Sequence, residues 1–302
     1  MFKKKAKTVV EEAIEQVSGF EIICEKLTRN FVITGKAKST LKNYLRCLAH
    51  IALHFKISPE RLDKEAVEEY LFHCKNLHQT PSDSFFKHTV YGLRSLYKVL
   101  YLPDKKVALP QIKRQNDLPI VLNKSEVRAL LLSPKYLRHR LILGLLYGCG
   151  LRSYELCDLR CSDIDFERKT VFVRKKKGRT DRYLPLNDML ARGLKKYLAN
   201  EHPIDYLFYS QVSSDGAQHP ITPSAIQWII KESRSKINTK KKFTAHTLRH
   251  SFATHLLEDG MNILTIKELL GHSRIETTMI YLQIAQLDNY TKFSPLDTLY
   301  KK

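Results

Sequence analysis

Lys169-Thr170-Val171-Phe172-Val173-Arg174 is answered, after a turn rich in Lys, Gly and Asp, by Arg182-Tyr183-Leu184-Pro185-Leu186. Side chains that alternate with period 2 line the two faces of a strand, so the two runs predict a β-hairpin. That hairpin is an exception in this chain. On both sides of it apolar residues recur every three to four positions, the spacing of helices. The expected fold is therefore mainly α with a small antiparallel β-sheet: a helical N-terminal half followed by an α+β half.

Downstream of the hairpin, helices are expected at Asp188–Leu198, Pro223–Ser235, Ala245–Glu258, Ile263–Leu270 and Ile275–Gln283. Thr244 is placed to cap the third, and Gly260 and Gly271 to stop chains that leave helices. Upstream, Asn123 with Glu126 has the spacing of a capping box, and a buried helix follows at Tyr136–Tyr147. Pro103 to Pro119 holds three prolines, no stripe and the bases Lys105, Lys106, Lys113 and Arg114, which predicts a linker. From about Glu12 to Leu102 only helices are expected. Ser39 and Thr40 precede the stripe Leu41, Tyr44, Leu45, Leu48 and Ile51; Ser58-Pro59-Glu60 reads as a cap with Pro at the first helical position; Asp63 opens a further stripe. Pro81-Ser82-Asp83 starts a long helix whose polar face carries Lys87, His88, Arg94 and Lys98. Such a face is either solvated or laid against a phosphate backbone, for which Lys87 and Arg94 are the candidates.

Bulk composition narrows the partner. The 302 residues carry a formal charge of +20, with a pI near 9.6, which favours a polyanion, either nucleic acid or an anionic surface. The most apolar run, Leu141 to Tyr147, is far shorter than the roughly 20 residues a bilayer crossing needs. Behind the basic start Lys3-Lys4-Lys5 come Glu11, Glu12 and Glu15 instead of an apolar signal segment. The six cysteines form no CxxC pair, and a zinc site at Cys157 and Cys161 lacks two further ligands nearby. These features predict a cytoplasmic protein with reduced thiols and no membrane partner.

Four separated segments carry chemistry. In Gly148-Cys149-Gly150-Leu151-Arg152-Ser153-Tyr154-Glu155-Leu156, glycines end one helix and Arg152 sits just before the next. An Arg held there presents a planar fork to a phosphate, with Glu155 one turn on to lock it; a surface Arg–Glu pair is the plainer alternative. Arg174-Lys175-Lys176-Lys177-Gly178-Arg179-Thr180-Asp181-Arg182 is a solvated charged turn, or a tip that brings one Lys to a phosphate. In His246-Thr247-Leu248-Arg249-His250, His246 and Arg249 are neighbours at i,i+3 while Leu248 points to the core. The pair His246/His250 also has the spacing of a metal clip, but no acidic third ligand is near. Finally, Leu270-Gly271-His272-Ser273-Arg274 puts His272 in a turn, and Tyr281 falls on the helix after it.

In this order and spacing the segments resemble the catalytic domain of tyrosine recombinases, the phage-integrase and Xer family. The match runs from Pro119 to Gln283. It rests on Gly150-Leu151-Arg152-Ser153-Tyr154-Glu155-Leu156, Lys177-Gly178 with Tyr183-Leu184-Pro185-Leu186, His246-Thr247-Leu248-Arg249-His250 through His255, and Leu270-Gly271-His272 leading to Thr277-Thr278-Met279-Ile280-Tyr281. The resemblance implies strand exchange on double-stranded DNA through a 3′-phosphotyrosyl link, with no metal, ATP or other cofactor. It implies Tyr281 as nucleophile and Arg152 and Arg249 on the phosphate oxygens, doing a metal's work. Tyrosine's ordinary pKa of about 10 calls for a base, for which His246 is the candidate. Lys177 would protonate the leaving 5′-oxygen, with Lys175 and Lys176 close enough to compete, and His272 would hold a phosphate oxygen. Lys175, Lys176 and Arg179 are further DNA-contact candidates.

The layout implied is an extension over 1–19, a core-binding domain over 20–104, a linker over 105–118, a catalytic domain over 119–283 and a tail over 284–302. That tail either packs in cis or docks on a neighbour within a DNA-bound homo-tetramer, or a hetero-tetramer with a paralogue. Two other readings are a type IB topoisomerase and a non-enzymatic accessory DNA-binding protein.

Overall fold

The computed structural model describes residues 7–76, 82–107, 109–111, 118–174, 181–212 and 218–285. The chain divides into two compact units, Met1–Gln115 and Asn116–Lys302.

Unit 1 is helical throughout its described residues: α1 (Val9–Gln16), α2 (Phe20–Ile33), α3 (Lys38–Phe55), α4 (Lys64–Asn76), α5 (Ser82–Val99) and α6 (Pro103–Val107). Its core is the apolar stripe of α3, with Leu48 and Ile51, closed against Val90, Leu93 and Leu96 of α5, all fully buried. Burial of that kind is worth roughly 1.5–3 kcal/mol per large side chain. The expected extension over 1–19 contributes to this core: Thr8 and Glu11 form a capping box at 2.7 and 3.3 Å, and α1 lays Ala13 against α3. Two local expectations change. Ser58-Pro59-Glu60 forms a turn, closed by Arg61 N–H on the Ser58 carbonyl at 2.9 Å, in place of a helix start. Pro103 opens α6 where a linker was expected, since Pro is well placed at a first helical position. The α6 residue Lys105 then ties the unit down by donating to the carbonyls of Glu60 and Leu62, both at 2.7 Å.

Unit 2 runs α7 (Lys124–Leu132), α8 (Leu137–Gly148), α9 (Ser153–Cys157), β1 (Ile164–Asp165), β2 (Thr170–Val173), β3 (Arg182–Pro185), α10 (Asp188–Glu201), β4 (Tyr209–Val212), β5 (Gln218–Pro220), α11 (Pro223–Arg234), α12 (Ala245–Glu258), α13 (Ile263–Leu270) and α14 (Glu276–Met279). The expected hairpin is β2–β3, antiparallel with Val171 opposite Leu184, and β1 adds a third strand. The alternation works as expected: Val171, Val173 and Leu184 are buried, while Phe172 and Tyr183 pair on the other face with ring centroids 5.0 Å apart. A second short sheet, β4–β5, carries no alternating signal in its polar sequence. The spine of the unit is α8, apolar on every side from Leu141 to Leu146 and packed against α7, α10 and α12. At α7 the expected capping box forms, with Asn123 Oδ1 accepting from Glu126 N–H at 2.7 Å and Glu126 answering at 2.9 Å.

Candidate active site

The site is assembled where the C-terminal ends of α8 and α13 meet the starts of α9 and α12. Gly150 follows α8 at φ +58, and a Cβ there would lie 2.4 Å from Cδ1 of Phe252. Only glycine combines that left-handed backbone with so close a ring. This tight exit leaves Arg152 as the N-cap of α9. Its backbone N–H donates to Glu155 Oε2 at 2.9 Å and its guanidinium to Glu155 Oε1 at 3.0 Å.

Glu155 is the hub. Its buried carboxylate also receives both terminal nitrogens of Arg182, at 3.1 and 2.9 Å, and Arg249 lies 3.8 Å away. Burial by itself would push this carboxyl up; hydrogen bonds and charge from Arg182, the Arg152 N–H and Arg249 outweigh it and hold the group below its ordinary value. Three guanidiniums thus surround one carboxylate, leaving a surplus of positive charge in an enclosed place.

Arg249, on α12, is completely buried. One terminal nitrogen donates to the Gly150 carbonyl at 2.7 Å; the other reaches the Leu270 carbonyl and lies 3.2 Å from His272 Nε2. Burial first, and the neighbouring Arg152 next, pull its pKa down to about 9, which still leaves it charged at neutral pH. Its Nε is buried without a hydrogen-bond partner, a donor in search of an acceptor. Gly271, at φ +62, stops α13 in the left-handed conformation expected of a helix C-cap and lets the chain turn to His272. His272 Nδ1 pairs with the buried Thr278 Oγ1 at 2.9 Å.

Tyr281 was expected on an α-helix and lies instead on a 3-10 turn, Ile280–Gln283, that follows the short α14. The tighter winding tucks successive residues Ile280 and Tyr281 into one apolar cluster with Phe252, Leu257 and Ile266. Tyr281 is 1% exposed, and its hydroxyl meets His250 Nδ1 at 3.0 Å. Burial raises its pKa, an effect that Arg249 and then Arg152 oppose. His246, exposed at the start of α12, stacks edge-on against His250 with centroids 4.2 Å apart. Desolvation, then Arg249 and Arg152, hold His246 below the ordinary imidazole range.

The structure therefore gathers Arg152, Glu155, His246, Arg249, His272 and Tyr281 in one place. Lys175, Lys176, Lys177 and Arg179 lie outside the described residues. Three participants were not singled out from sequence. Arg182 looked like part of a solvated charged turn, yet its side chain is 8% exposed and also donates to the Leu269 carbonyl at 2.7 Å. His250 was weighed only as half of a metal clip. Thr278 was noted only within a motif. Among the described residues no three His, Cys, Asp or Glu side chains gather as a metal-holding group, and no helix is long and apolar enough to cross a membrane.

Unit 1 offers a separate basic surface. A groove of about 350 Å³ is lined by Lys36, Arg94, Lys98 and Lys106 together with the rings of Tyr44 and Tyr91. Arg94 is braced there, donating to the Pro110 carbonyl at 2.5 Å; Lys87 does not line the groove.

Comparison with known proteins gives the family and the fold. Residues 120–287 match the model of the phage integrase family. A tyrosine recombinase of Pseudothermotoga lettingae is 35% identical over 240 residues, 76% of this chain and 81% of that protein. The crystal structure of XerA recombinase superimposes with a TM-score of 0.52 at 26% identity, over 90% of this chain and 98% of the other. A post-cleavage complex of XerH site-specific recombinase with a palindromic difH substrate has the same fold, with a TM-score of 0.67 at 21% identity over 94% and 86% of the two chains.

Proposed function

The chain belongs to the phage integrase family, and from that membership we propose the parts its residues play in cutting and rejoining DNA. It is a tyrosine recombinase, a site-specific enzyme that exchanges DNA strands. The reading of its residues is carried by one observation: two enclosed guanidiniums, Arg152 and Arg249, anchored on Glu155 beside a buried tyrosine hydroxyl.

A phosphodiester entering this cluster supplies the anion that it lacks. Arg152 and Arg249, whose buried Nε has no acceptor of its own, take the non-bridging oxygens, where charge grows as the phosphorus is attacked. His272, oriented by Thr278, supports the same oxygens. Tyr281 attacks, its oxygen binds phosphorus, and the bond to the 5′-oxygen breaks; Lys177 delivers the proton that oxygen needs. The energy of the broken bond is kept in the phosphotyrosyl link, so resealing requires no ATP and the chemistry requires no metal. The basic groove around Arg94 supports a duplex-holding role for unit 1. We place the working enzyme in the cytoplasm as a tetramer on DNA.

A random-sequence pool of nicked duplexes tests this. The wild-type chain should capture a subset covalently, and Tyr281→Phe should capture none; persistence of the adduct in Tyr281→Phe removes Tyr281 from its role. Joint products between two differently labelled captured duplexes separate exchange between duplexes from resealing of a single one.

A further inference from the structure

A base was sought from sequence at His246, but the ring on the tyrosine oxygen is His250. The contact is direct, 3.0 Å from Nδ1 to the hydroxyl, inside the distance at which a proton crosses in one step. Its geometry follows from the helix. His250 stands one turn beyond His246 on α12, and it is this later turn that the 3-10 segment bearing Tyr281 packs against. His246 packs on the His250 ring, which in turn packs on the ring of Tyr281.

Resting on the recombinase reading above, we infer that His250 is the group that accepts the Tyr281 proton during attack on the phosphate. In the forward step the Tyr281 oxygen bonds to phosphorus as the bond to the 5′-oxygen breaks. The phenolic proton passes to His250 Nδ1, and the 5′-oxygen takes a proton from the hairpin lysine. In the return step a 5′-hydroxyl attacks phosphorus, the tyrosine oxygen leaves, and His250 hands its proton back. No oxidant or other reactant enters.

The surroundings suit that task. A phenol that keeps its proton is the donor of this pair, so Nδ1 carries the lone pair and Nε2 the hydrogen, an assignment made from the partners. Burial first, then His246 and Arg249, push the His250 pKa down to about 4, so without substrate the ring is neutral with its lone pair free, though only weakly basic. The groups that face it are His246 and Arg249 on its own helix and Tyr281 on the packed turn. A phosphate arriving on Arg249 offsets the nearest positive charge, so His250 becomes a stronger base at the moment the substrate is in place. His246 is left facing solvent.

The experiment uses the full chain and a nicked duplex captured from the random pool, with single-turnover adduct formation as the readout. General-base catalysis contributes about 10² to 10⁴ in rate. His250→Ala should therefore slow the adduct by at least roughly a hundredfold while duplex binding is kept, and added imidazole should restore part of the rate. His250→Asn can still accept the tyrosine hydrogen bond but cannot carry the proton away; it should stay slow. A duplex with sulfur as the bridging 5′-atom, whose leaving group needs no acid, should rescue Lys177→Ala and leave His250→Ala slow. A wild-type rate in His250→Asn would mean that the ring only positions Tyr281 and would overturn the inference. So would a faster adduct in His250→Ala, the mark of a clasp on a resting tyrosine, or rescue of His250→Ala by the sulfur duplex. Loss of capture by the wild type itself would instead be a failure of the recombinase reading.

Discussion

Replacing Glu155 by Gln removes one charge without changing volume, and the structure says what that should do in the absence of DNA. The carboxylate accepts the Arg152 N–H, the Arg152 guanidinium and both ends of Arg182, all between 2.9 and 3.1 Å, and it is the anion nearest buried Arg249. Glutamine offers one oxygen and turns an NH₂ toward donors that have nothing to give it. Removing one partner of a buried ion pair costs about 3–5 kcal/mol, because the charges left behind stay desolvated. For a unit of this size that is roughly 6–20 °C of melting temperature, at about 2–4 °C per kcal/mol. Trp228, the sole tryptophan, lies on α11 and reports unfolding of unit 2 alone, which avoids treating two units as one transition. The pH dependence has a definite sign. The folded carboxyl titrates below its ordinary value, so its contribution is complete above the unfolded value of about 4.3 and is lost as pH falls through the folded one. The gap between parent and variant should be level from pH 6 to 8 and shrink under acid. Saturating duplex, which brings its own phosphate anion, should narrow it too. A gap below about 1 kcal/mol at pH 7, or one that acid leaves unchanged, would mean Glu155 does not hold the cluster together.

Gly150→Ala should lower the melting temperature of unit 2 and abolish adduct formation, since φ +58 and a Cβ 2.4 Å from Phe252 cannot both be accommodated; strain of this kind costs about 1–3 kcal/mol. Phe252→Leu in the same chain should recover part of the stability, measured by the same fluorescence. Thr278→Val deletes the hydrogen bond from a buried threonine to the half-buried His272, for a loss of about 1 kcal/mol in urea unfolding. Its adduct rate should fall further than that stability change explains, and an unchanged rate would disconnect Thr278 from His272's work. Arg94→Ala should weaken duplex binding and reduce the salt slope of the binding constant by about one, whichever duplex sequence is used.

Much of this architecture was legible in residue order. The hairpin declared itself by alternation, and α8 by a continuous apolar run that does not alternate. Gly150 and Gly271 marked chain reversals, and both prove to sit at positive φ. What stayed hidden has a common cause. Burial of a charged residue cannot be read from its neighbours in sequence, so Arg182 looked like a turn residue until its strand brought it to Glu155, 27 positions away. His250 was invisible as a partner of Tyr281 because the two are 31 residues apart and the local winding is 3-10, not α. Periodicity also misled where a proline could serve either role: Pro59 lies in a turn and Pro103 opens a helix.

Arg249 donates to carbonyl oxygens of the main chain, at Gly150 and Leu270, in addition to its side-chain neighbours Glu155 and His272. Point substitution can crowd those carbonyls but cannot delete them. A pocket built this way is tolerant of sequence drift at its rim and intolerant of changes in chain length. One residue inserted into Gly150–Arg152, or into the turn from Leu270 to His272, would shift the acceptors out of register with the guanidinium at a stroke. Lineages carrying this site should therefore vary freely in length elsewhere and keep these two turns at constant count, and redesign of target choice in such an enzyme can proceed without disturbing its chemistry so long as both turns are spared.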